Sequence, residues 1–256
     1  IAGSGAGDVA ITGGTFDNTT TGTLTVAAGR TITLGGVCNL LGGTFGGSGI
    51  TLALSGATMN ATPDYANAAG STLTMSNSTW NGPGTLTNGS NFTLTGSTIN
   101  ASLVQQGTMV AQGTGAINGS FNGNPSGSLL QVQATGSTSA VLTVANGFTN
   151  GGEIDLTNSA PGGTNATLNI TNGTLTNVSG GMVSALGSSN GGFRVLGAEL
   201  VNQGVVNVAL SGTRTFTVGR TAAAQHQNSG TVNITGGVRV ITQTAGSAST
   251  NSGTII

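Results

Sequence analysis

The sequence contains almost no charge. It has no lysine, and its five arginines and six acidic residues make up 4% of the 256 positions, whereas a soluble globular domain carries about 25% charged residues. The net charge of −1 leaves no basic surface to attract a phosphate backbone. We therefore expect no nucleic-acid partner.

Cysteine, histidine and long apolar runs are also scarce. The single cysteine, Cys38, excludes an internal disulfide framework. The single histidine, His226, excludes a metal site with two imidazole ligands and is predicted to lie in a loop. No apolar run approaches the roughly 20 residues of a membrane span. The chain starts at Ile1 without a signal peptide, so we expect it to be a piece of a longer, processed protein.

Glycine is abundant instead, with 47 residues. Because serine, threonine and asparagine are common as well, a flexible low-complexity linker is one interpretation. However, 36% of the residues are hydrophobic and the mean hydropathy is +0.18, so the chain has apolar surface to bury. The apolar residues are also regularly spaced, which predicts a folded protein.

The second half of the chain repeats an asparagine that is followed closely by a glycine and then by an apolar residue. The asparagines recur at intervals of 23 to 27 residues: Asn150, Asn177, Asn202, Asn228 and Asn251. The apolar residues that follow them are Ile154, Met182, Val206, Val232 and Ile255. Apolar pairs two residues apart recur in step: Leu142/Val144, Leu168/Ile170, Phe193/Val195, Phe216/Val218 and Val238/Val240. Residues two apart share one face of a strand, so both sets are predicted to face the core.

The first half carries its own version of the repeat, with intervals of 19 to 21 residues. Its asparagines are Asn39, Asn60, Asn81 and Asn100, and the residues just before them are Cys38, Met59, Trp80 and Ile99. Four apolar side chains of different size in one column predict a core ladder, with Cys38 as a core residue rather than a nucleophile. If the column faced outward instead, Trp80 would be an exposed platform for stacking a sugar.

Short segments in which threonine alternates with apolar residues, such as TITL and FTLT, are typical of strands. A period of 20 to 27 residues built from such segments predicts an all-β fold: a right-handed parallel β-helix, or β-solenoid, of about 10–11 coils. We expect a single β-solenoid domain over residues 1–256, as a segment of a longer rod or filament. The coils would stack at about 4.8 Å.

This stacking accounts for the missing charge. In a parallel stack each side chain lies above its counterpart, so a charged column would place like charges about 5 Å apart. Asparagine amides in the same position can hydrogen-bond to one another along the axis. The asparagine columns are therefore predicted to be structural ladders rather than ligand sites.

The segments FTNGGEIDL, LVNQGVVNVAL, QNSGTVNITGG and TNSGTII resemble the haemagglutinin-type repeats of large bacterial adhesins, the filamentous-haemagglutinin-like proteins, most clearly over residues 140–256. This resemblance implies a secreted β-helix that acts as a shaft or adhesive surface. It carries over no functional residue, because the shared motif is the scaffold itself.

Catalysis is not expected, and neither is a cofactor. Glycoside hydrolysis typically needs two carboxyl groups about 5–10 Å apart, and the only close acidic pair is Glu153 and Asp155. They flank the inward Ile154, so they are predicted to point outward together as solvated acids, with a cation or glycan contact as the alternative. Arg194 and Arg239 flank predicted core pairs and should share one outward column, where contacts with acidic glycans are a weak alternative.

Threonine pairs raise the possibility of ice binding, since flat threonine arrays on β-solenoids resemble antifreeze surfaces. Thr72 and Thr74 are predicted to lie beside Thr93 and Thr95 on the neighbouring coil. The array extends over only two coils, and threonine is in any case a favoured strand residue.

The sequence thus predicts an extracellular or cell-surface structural or adhesive protein, with a glycan-binding module or an ice-binding protein as alternatives. Because TNSGTII ends in the middle of its own repeat, we expect the rod to continue through the coil ends into flanking repeats or further copies of itself. Surface glycans are the other candidate partners.

Overall fold

The computed structural model describes residues 7–160, 162–187, 192–241 and 245–256. Within these ranges the chain forms strands and turns without a helix, and the strands stack in parallel into a β-solenoid of about ten turns. The predicted all-β solenoid fold is confirmed. The strands of the coils form three faces, which we call faces A, B and C.

Face A is one continuous ladder from the first described strand to the last. Its strands are β1 (Val9–Ile11), the first part of β4 (Thr31–Leu41) and of β6 (Thr51–Ala61), β8 (Thr72–Ser76), β11 (Asn91–Thr95), β14 (Thr108–Gln112), β16 (Leu129–Ala134), β18 (Glu153–Asn158), β20 (Met182–Leu186), β22 (Val205–Ala209), β25 (Thr231–Gly236) and β28 (Thr254–Ile255).

Face B runs beside face A, and several long strands bend from one face to the next. Its strands are β2 (Thr15–Thr19), the second part of β4 and of β6, β9 (Thr79–Asn81), β12 (Thr98–Ile99), β15 (Thr114–Ile117), the first part of β17 (Ala140–Asn150), of β19 (Ala166–Asn177) and of β21 (Arg194–Asn202), β23 (Thr215–Val218) and β26 (Val238–Ile241).

Face C closes each coil, and its strands in the first half are three residues long. Its strands are β3 (Thr23–Thr25), β5 (Thr44–Gly46), β7 (Tyr65–Asn67), β10 (Leu86–Asn88), β13 (Leu103–Gln105), the second part of β17, β19 and β21, β24 (Gln225–Asn228) and β27 (Ala248–Asn251).

Alternation of threonine with apolar residues gives each strand one buried and one wet side. In β4, Ile32 and Leu34 are fully buried, while Thr31 and Thr33 are half-buried on the outside. The strand bends from face A to face B at Gly36, whose φ is 70°. A Cβ there would lie 2.6 Å from the carbonyl oxygen of Gly14 on the neighbouring coil, so only glycine fits this corner.

The core consists of apolar columns that run along the axis. One column on face A is continuous from Val9 to Ile255: Val9, Ile32, Leu52, Leu73, Phe92, Met109, Leu130, Ile154, Val183, Val206, Val232 and Ile255. Met182 was predicted in this column, and that prediction is wrong. It pairs with Glu153 on the outer side, because the turn after Asn177 is longer than the turn after Asn150.

Cys38, Met59, Trp80 and Ile99 form a second column, on face B, and all four side chains are fully buried. The Tyr65 ring packs against Trp80 with ring centroids 5.2 Å apart. The threonines that precede three of them, Thr58, Thr79 and Thr98, are half-buried on the outer side. Trp80 is therefore a core residue and offers no surface for stacking a sugar.

The predicted outward placement of Arg194 and Arg239 is wrong. Both arginines lie in an inward column with Phe216 between them, as Arg194 pairs with Phe216 and Phe216 with Arg239. The residues adjacent to the two arginines therefore lie on the outer side. Phe193 is 46% exposed, and Val238 and Val240 are exposed too. On β21, the buried residues Leu196, Ala198 and Leu200 lie on the same side as Arg194. Burial of these three apolar side chains stabilises this orientation of the strand more than burial of Phe193 and Val195 would stabilise the opposite one.

The burial of Arg194 is compensated by hydrogen bonds. Its guanidinium donates to the Leu186 carbonyl oxygen at 2.8 Å, to Asn158 Oδ1 at 2.8 Å and to three further carbonyl oxygens, those of Thr164, Gly192 and Phe193. Burial lowers the pKa of Arg194 to about 10, so the side chain stays charged at neutral pH. Without these acceptors a buried cation would be strongly destabilising.

Candidate functional site

A buried ladder of asparagine amides lies at the corner between faces C and A. It consists of Asn124, Asn150, Asn177, Asn202, Asn228 and Asn251, and each amide up to Asn228 donates from Nδ2 to Oδ1 of the next asparagine toward the C-terminus at 2.6 to 2.8 Å. We call this set the inner ladder. Its members from Asn124 to Asn202 are at most 1% exposed.

In most amides of the inner ladder, both N–H hydrogens of the side chain have a hydrogen-bond acceptor. Asn150 also donates to the Met182 carbonyl oxygen at 3.0 Å, and Asn177 to that of Val205 at 3.1 Å. Each amide therefore bridges two neighbouring coils through a side chain and through the backbone. Because a buried amide without partners is unfavourable, the ladder requires asparagine in every coil and a fixed coil spacing.

From Asn150 onward, each asparagine of the inner ladder is followed by a glycine that the close approach of successive coils requires. A Cβ on Gly230 would lie 2.1 Å from the carbonyl oxygen of Gly204, and one on Gly253 would lie 2.1 Å from that of Gly230. No side chain fits at these distances. The motif that recurs in the sequence is thus a property of the corner and not of a ligand site.

The inner ladder has a counterpart in the first half of the chain that sequence reasoning missed. Asn67 donates to Asn88 at 2.8 Å, and Asn88 donates to Gln105 at 2.9 Å. All three side chains are at most 1% exposed. The segment QQGT, with Gln105 in place of asparagine before Gly107, was the signal that could have identified this column.

Asn39, Asn60, Asn81 and Asn100 belong to a different ladder, on the outer side of face B. Together with Asn118 they donate toward the N-terminus at 2.8 to 2.9 Å, and Asn39 donates at 2.7 Å to the carboxylate of Asp17. This outer ladder is partly exposed and runs opposite in direction to the inner one. Its amide dipoles are aligned toward the carboxylate, which is the favourable orientation.

Glu153 and Asp155 both lie on the outer side of β18, as predicted, but they are not both solvated. Glu153 is half-buried, while Asp155 is only 7% exposed and its Oδ1 has no hydrogen-bond partner. Asp155 is enclosed in an outer column between Gln131 and Ser184. Burial, and then the Glu153 carboxylate, raise the pKa of Asp155 to about 6.

The threonine array is less regular than predicted. Thr74 pairs with Thr93, but Thr72 pairs with Asn91 and Thr95 with Ser76, so the two threonine pairs are offset by two residues. The reason is that Phe92 and Leu94 align with Leu73 and Met75 in the core. One outer column therefore reads Thr31, Thr51, Thr72 and Asn91.

A concavity of about 680 Å³ lies on the outer side of face B, where the turn after β23 rises over the sheet. Thr143, Asn169, Val195 and Arg220 line it. Arg220 donates to the carbonyl oxygen of Gly173 at 2.7 Å and forms an ion pair with Glu199 at 3.2 Å. The concavity thus combines hydroxyl, amide and apolar surface, but the arginine is already engaged.

His226 is not a loop residue, contrary to prediction. It lies on β24 with its ring inside the solenoid and is 4% exposed. Cys38 is buried as well, and burial raises the pKa of its thiol, which disfavours the nucleophilic thiolate. Across the described ranges no three histidine, cysteine, aspartate or glutamate side chains come together as a metal site. The same ranges contain no helix long and apolar enough to cross a membrane.

Comparison of the chain with family models, with curated proteins and with solved structures gives no match.

Proposed function

We propose that the chain is part of the stiff shaft of an extracellular, cell-surface structural or adhesive protein related to the haemagglutinin-repeat adhesins. The observation that carries this proposal is the inner ladder, in which each amide from Asn124 to Asn228 donates to the next coil. Together with the apolar columns, it ties every coil to its neighbours along the axis. Bending or stretching the rod would strain many of these bonds at once.

The proposal includes the absence of enzymatic activity. The acidic pair Glu153 and Asp155 lies on an outer strand face, and Asp155 is enclosed by Gln131 and Ser184. General acid–base catalysis needs groups that reach the substrate. The Cys38 thiol is buried in the core and cannot act as a nucleophile there.

Electron microscopy of cells that produce the full-length protein tests this proposal. Antibodies raised against residues 1–256 should label straight projections of uniform width outside the cell. Label confined to the cytoplasm would contradict the extracellular role, and label on compact particles would contradict the shaft.

We also propose that shafts lengthen through their coil ends, into flanking repeats or other copies. The strands at each end run in parallel register with the rest of the ladder, so their backbone groups match those of another coil. Negative-stain images of the purified chain at increasing concentration should show long filaments. Separate short rods at every concentration would contradict association between copies.

Glycan binding is the second candidate, and the concavity lined by Thr143, Asn169, Val195 and Arg220 favours it. Its volume lies in the range of small-molecule sites, and its hydroxyl and amide groups suit sugar hydroxyls. A glycan array with wild-type protein and with Asn169→Ala tests it. Binding lost in the variant would support the candidate, and no binding by the wild type would reject it. The irregular threonine columns do not favour ice binding.

A further inference from the structure

The interior of the solenoid changes from apolar to polar in its last coils. On face C an inward column reads Phe148, Leu175, Leu200, His226 and Ser249. On face B the column of Arg194 and Phe216 continues to Arg239. The His226 imidazole thus follows three apolar side chains in its column, and the Arg239 guanidinium follows the Phe216 ring.

These two side chains line one cavity of about 120 Å³. Leu200, Ile241 and Asn228 form part of its wall, and Asn251 and Ile255, both exposed, lie at its open side. A water molecule takes about 30 Å³ in the liquid, so the cavity has room for a few waters or one small solute.

Both side chains carry an N–H group that is buried and has no hydrogen-bond partner, His226 Nε2 and Arg239 Nε. The amide of Leu200 donates to His226 Nδ1 at 3.2 Å. Nδ1 is therefore the acceptor of the neutral ring, and Nε2 carries the proton. Two unsatisfied donors in one cavity are unfavourable unless an acceptor joins them.

The electrostatic balance of the cavity also favours an anion. None of the described residues that line it is acidic, while Arg239 contributes a cation. Glu199, the acid whose charge acts on His226, is already engaged by Arg220, by the Thr174 hydroxyl at 2.8 Å and by the Gln225 amide at 3.0 Å. Burial, and then the charges of Arg239 and Arg220, lower the pKa of His226, while Glu199 raises it.

We propose that this cavity binds a carboxylate, whose two oxygens accept from His226 Nε2 and Arg239. The carboxylate could come from a small free acid or from an aspartate or glutamate side chain of another polypeptide. A carboxylate matches two N–H donors better than a spherical anion, because its oxygens lie in fixed positions on one planar group. The proposal is independent of the mechanical role proposed above.

NMR of the purified chain tests it, since His226 is the only histidine and its ring signals need no assignment. Three probes are titrated at constant pH and ionic strength: acetate, a blocked Gly-Glu-Gly peptide and chloride. Saturable shifts of the ring signals with acetate would support a free acid as ligand. Saturation with the peptide alone would support a side chain of another polypeptide.

Shifts with chloride alone, or no shift with any of the three probes, would overturn the proposal on the wild-type protein itself. Arg239→Gln should weaken carboxylate binding by at least tenfold, because it removes the charge and the Nε donor. Arg30→Gln makes the same change in a residue outside the cavity and should leave binding unaltered. Equal weakening in both variants would also contradict the proposal.

Discussion

Asn150 donates its side-chain amide to Asn177 Oδ1 at 2.7 Å, and both side chains are completely buried. The two residues lie 27 positions apart in the sequence and occupy the same corner of successive coils. Their hydrogen bond is one step of the inner ladder. The asparagine that recurs in the sequence thus helps to fix the distance between successive coils.

Asn177→Ala should destabilise the coils around it by about 2–4 kcal/mol, since it leaves one hydrogen of the Asn150 amide without a partner and opens a small cavity. Amide hydrogen exchange in β19 and β20 should accelerate by roughly 30-fold to several hundred-fold, at about tenfold per 1.4 kcal/mol. Asn60→Ala is the matched control on the partly exposed outer ladder, where water replaces the lost partner. Equal acceleration around both sites would contradict the distinction between the ladders.

Gly230→Ala should disrupt the corner even though the added group is a single methyl. Its Cβ would lie 2.1 Å from the Gly204 carbonyl oxygen, so the coils must separate locally. We expect a loss of about 3 kcal/mol or more, seen as a lower midpoint of thermal unfolding followed by circular dichroism. Gly163→Ala, where no atom lies within 4 Å of the added Cβ, should be nearly neutral. A neutral Gly230→Ala would refute the steric explanation of the motif.

Trp80 provides a direct optical test of the core column, because it is the only tryptophan. Its fluorescence should be blue-shifted and poorly quenched by iodide, and sugars should not change it. Trp80→Ala should destabilise the protein by about 3–5 kcal/mol, as large core truncations do. Trp80→Phe, which keeps most of the volume, should lose much less. A solvent-quenched spectrum would contradict the inward orientation.

Asp155 should make stability depend on pH. Because its pKa in the folded protein is raised to about 6 from the ordinary 3.8, its stabilising contribution is fully present below about pH 4. That contribution is lost as the pH rises through 6. Asp155→Asn should therefore raise stability at pH 8 by about 1–2 kcal/mol and flatten the profile between pH 4 and 7.

Urea unfolding across this pH range measures the effect. Asp64→Asn is the control, because the exposed Asp64 carboxylate accepts from the Thr85 amide at 2.7 Å and an asparagine oxygen can do the same. A pH profile that Asp155→Asn leaves unchanged would show that Asp155 is not the titrating group.

The solenoid could be predicted from the sequence because each coil repeats its pattern of apolar and corner residues. The column of Cys38, Met59, Trp80 and Ile99 follows directly from the spacing of the asparagines beside it. What the spacing did not reveal is that the two sets of asparagines form separate ladders. Both recur once per coil, so periodicity alone cannot tell an outer column from a corner column.

The side on which Arg194 lies could not be predicted from its neighbours. Phe193 and Val195 are apolar, and placing them inside would normally put the arginine outside. The inward orientation depends on Leu196 downstream and on carbonyl oxygens of Leu186 and Thr164, which the fold brings to the guanidinium from other parts of the coil. Such acceptors have no signature near Arg194 in the sequence.

Single-molecule force spectroscopy, in which residues 1–256 are pulled from their two ends, tests the proposed shaft most directly. A stiff shaft of stacked coils predicts stepwise unfolding in which each coil of about 25 residues adds roughly 85 Å of chain, at about 3.4 Å per residue. It also predicts that Asn177→Ala lowers the force of a subset of the steps while Asn60→Ala leaves the forces nearly unchanged. Extension without force peaks, or identical traces for the wild type and Asn177→Ala, would contradict it.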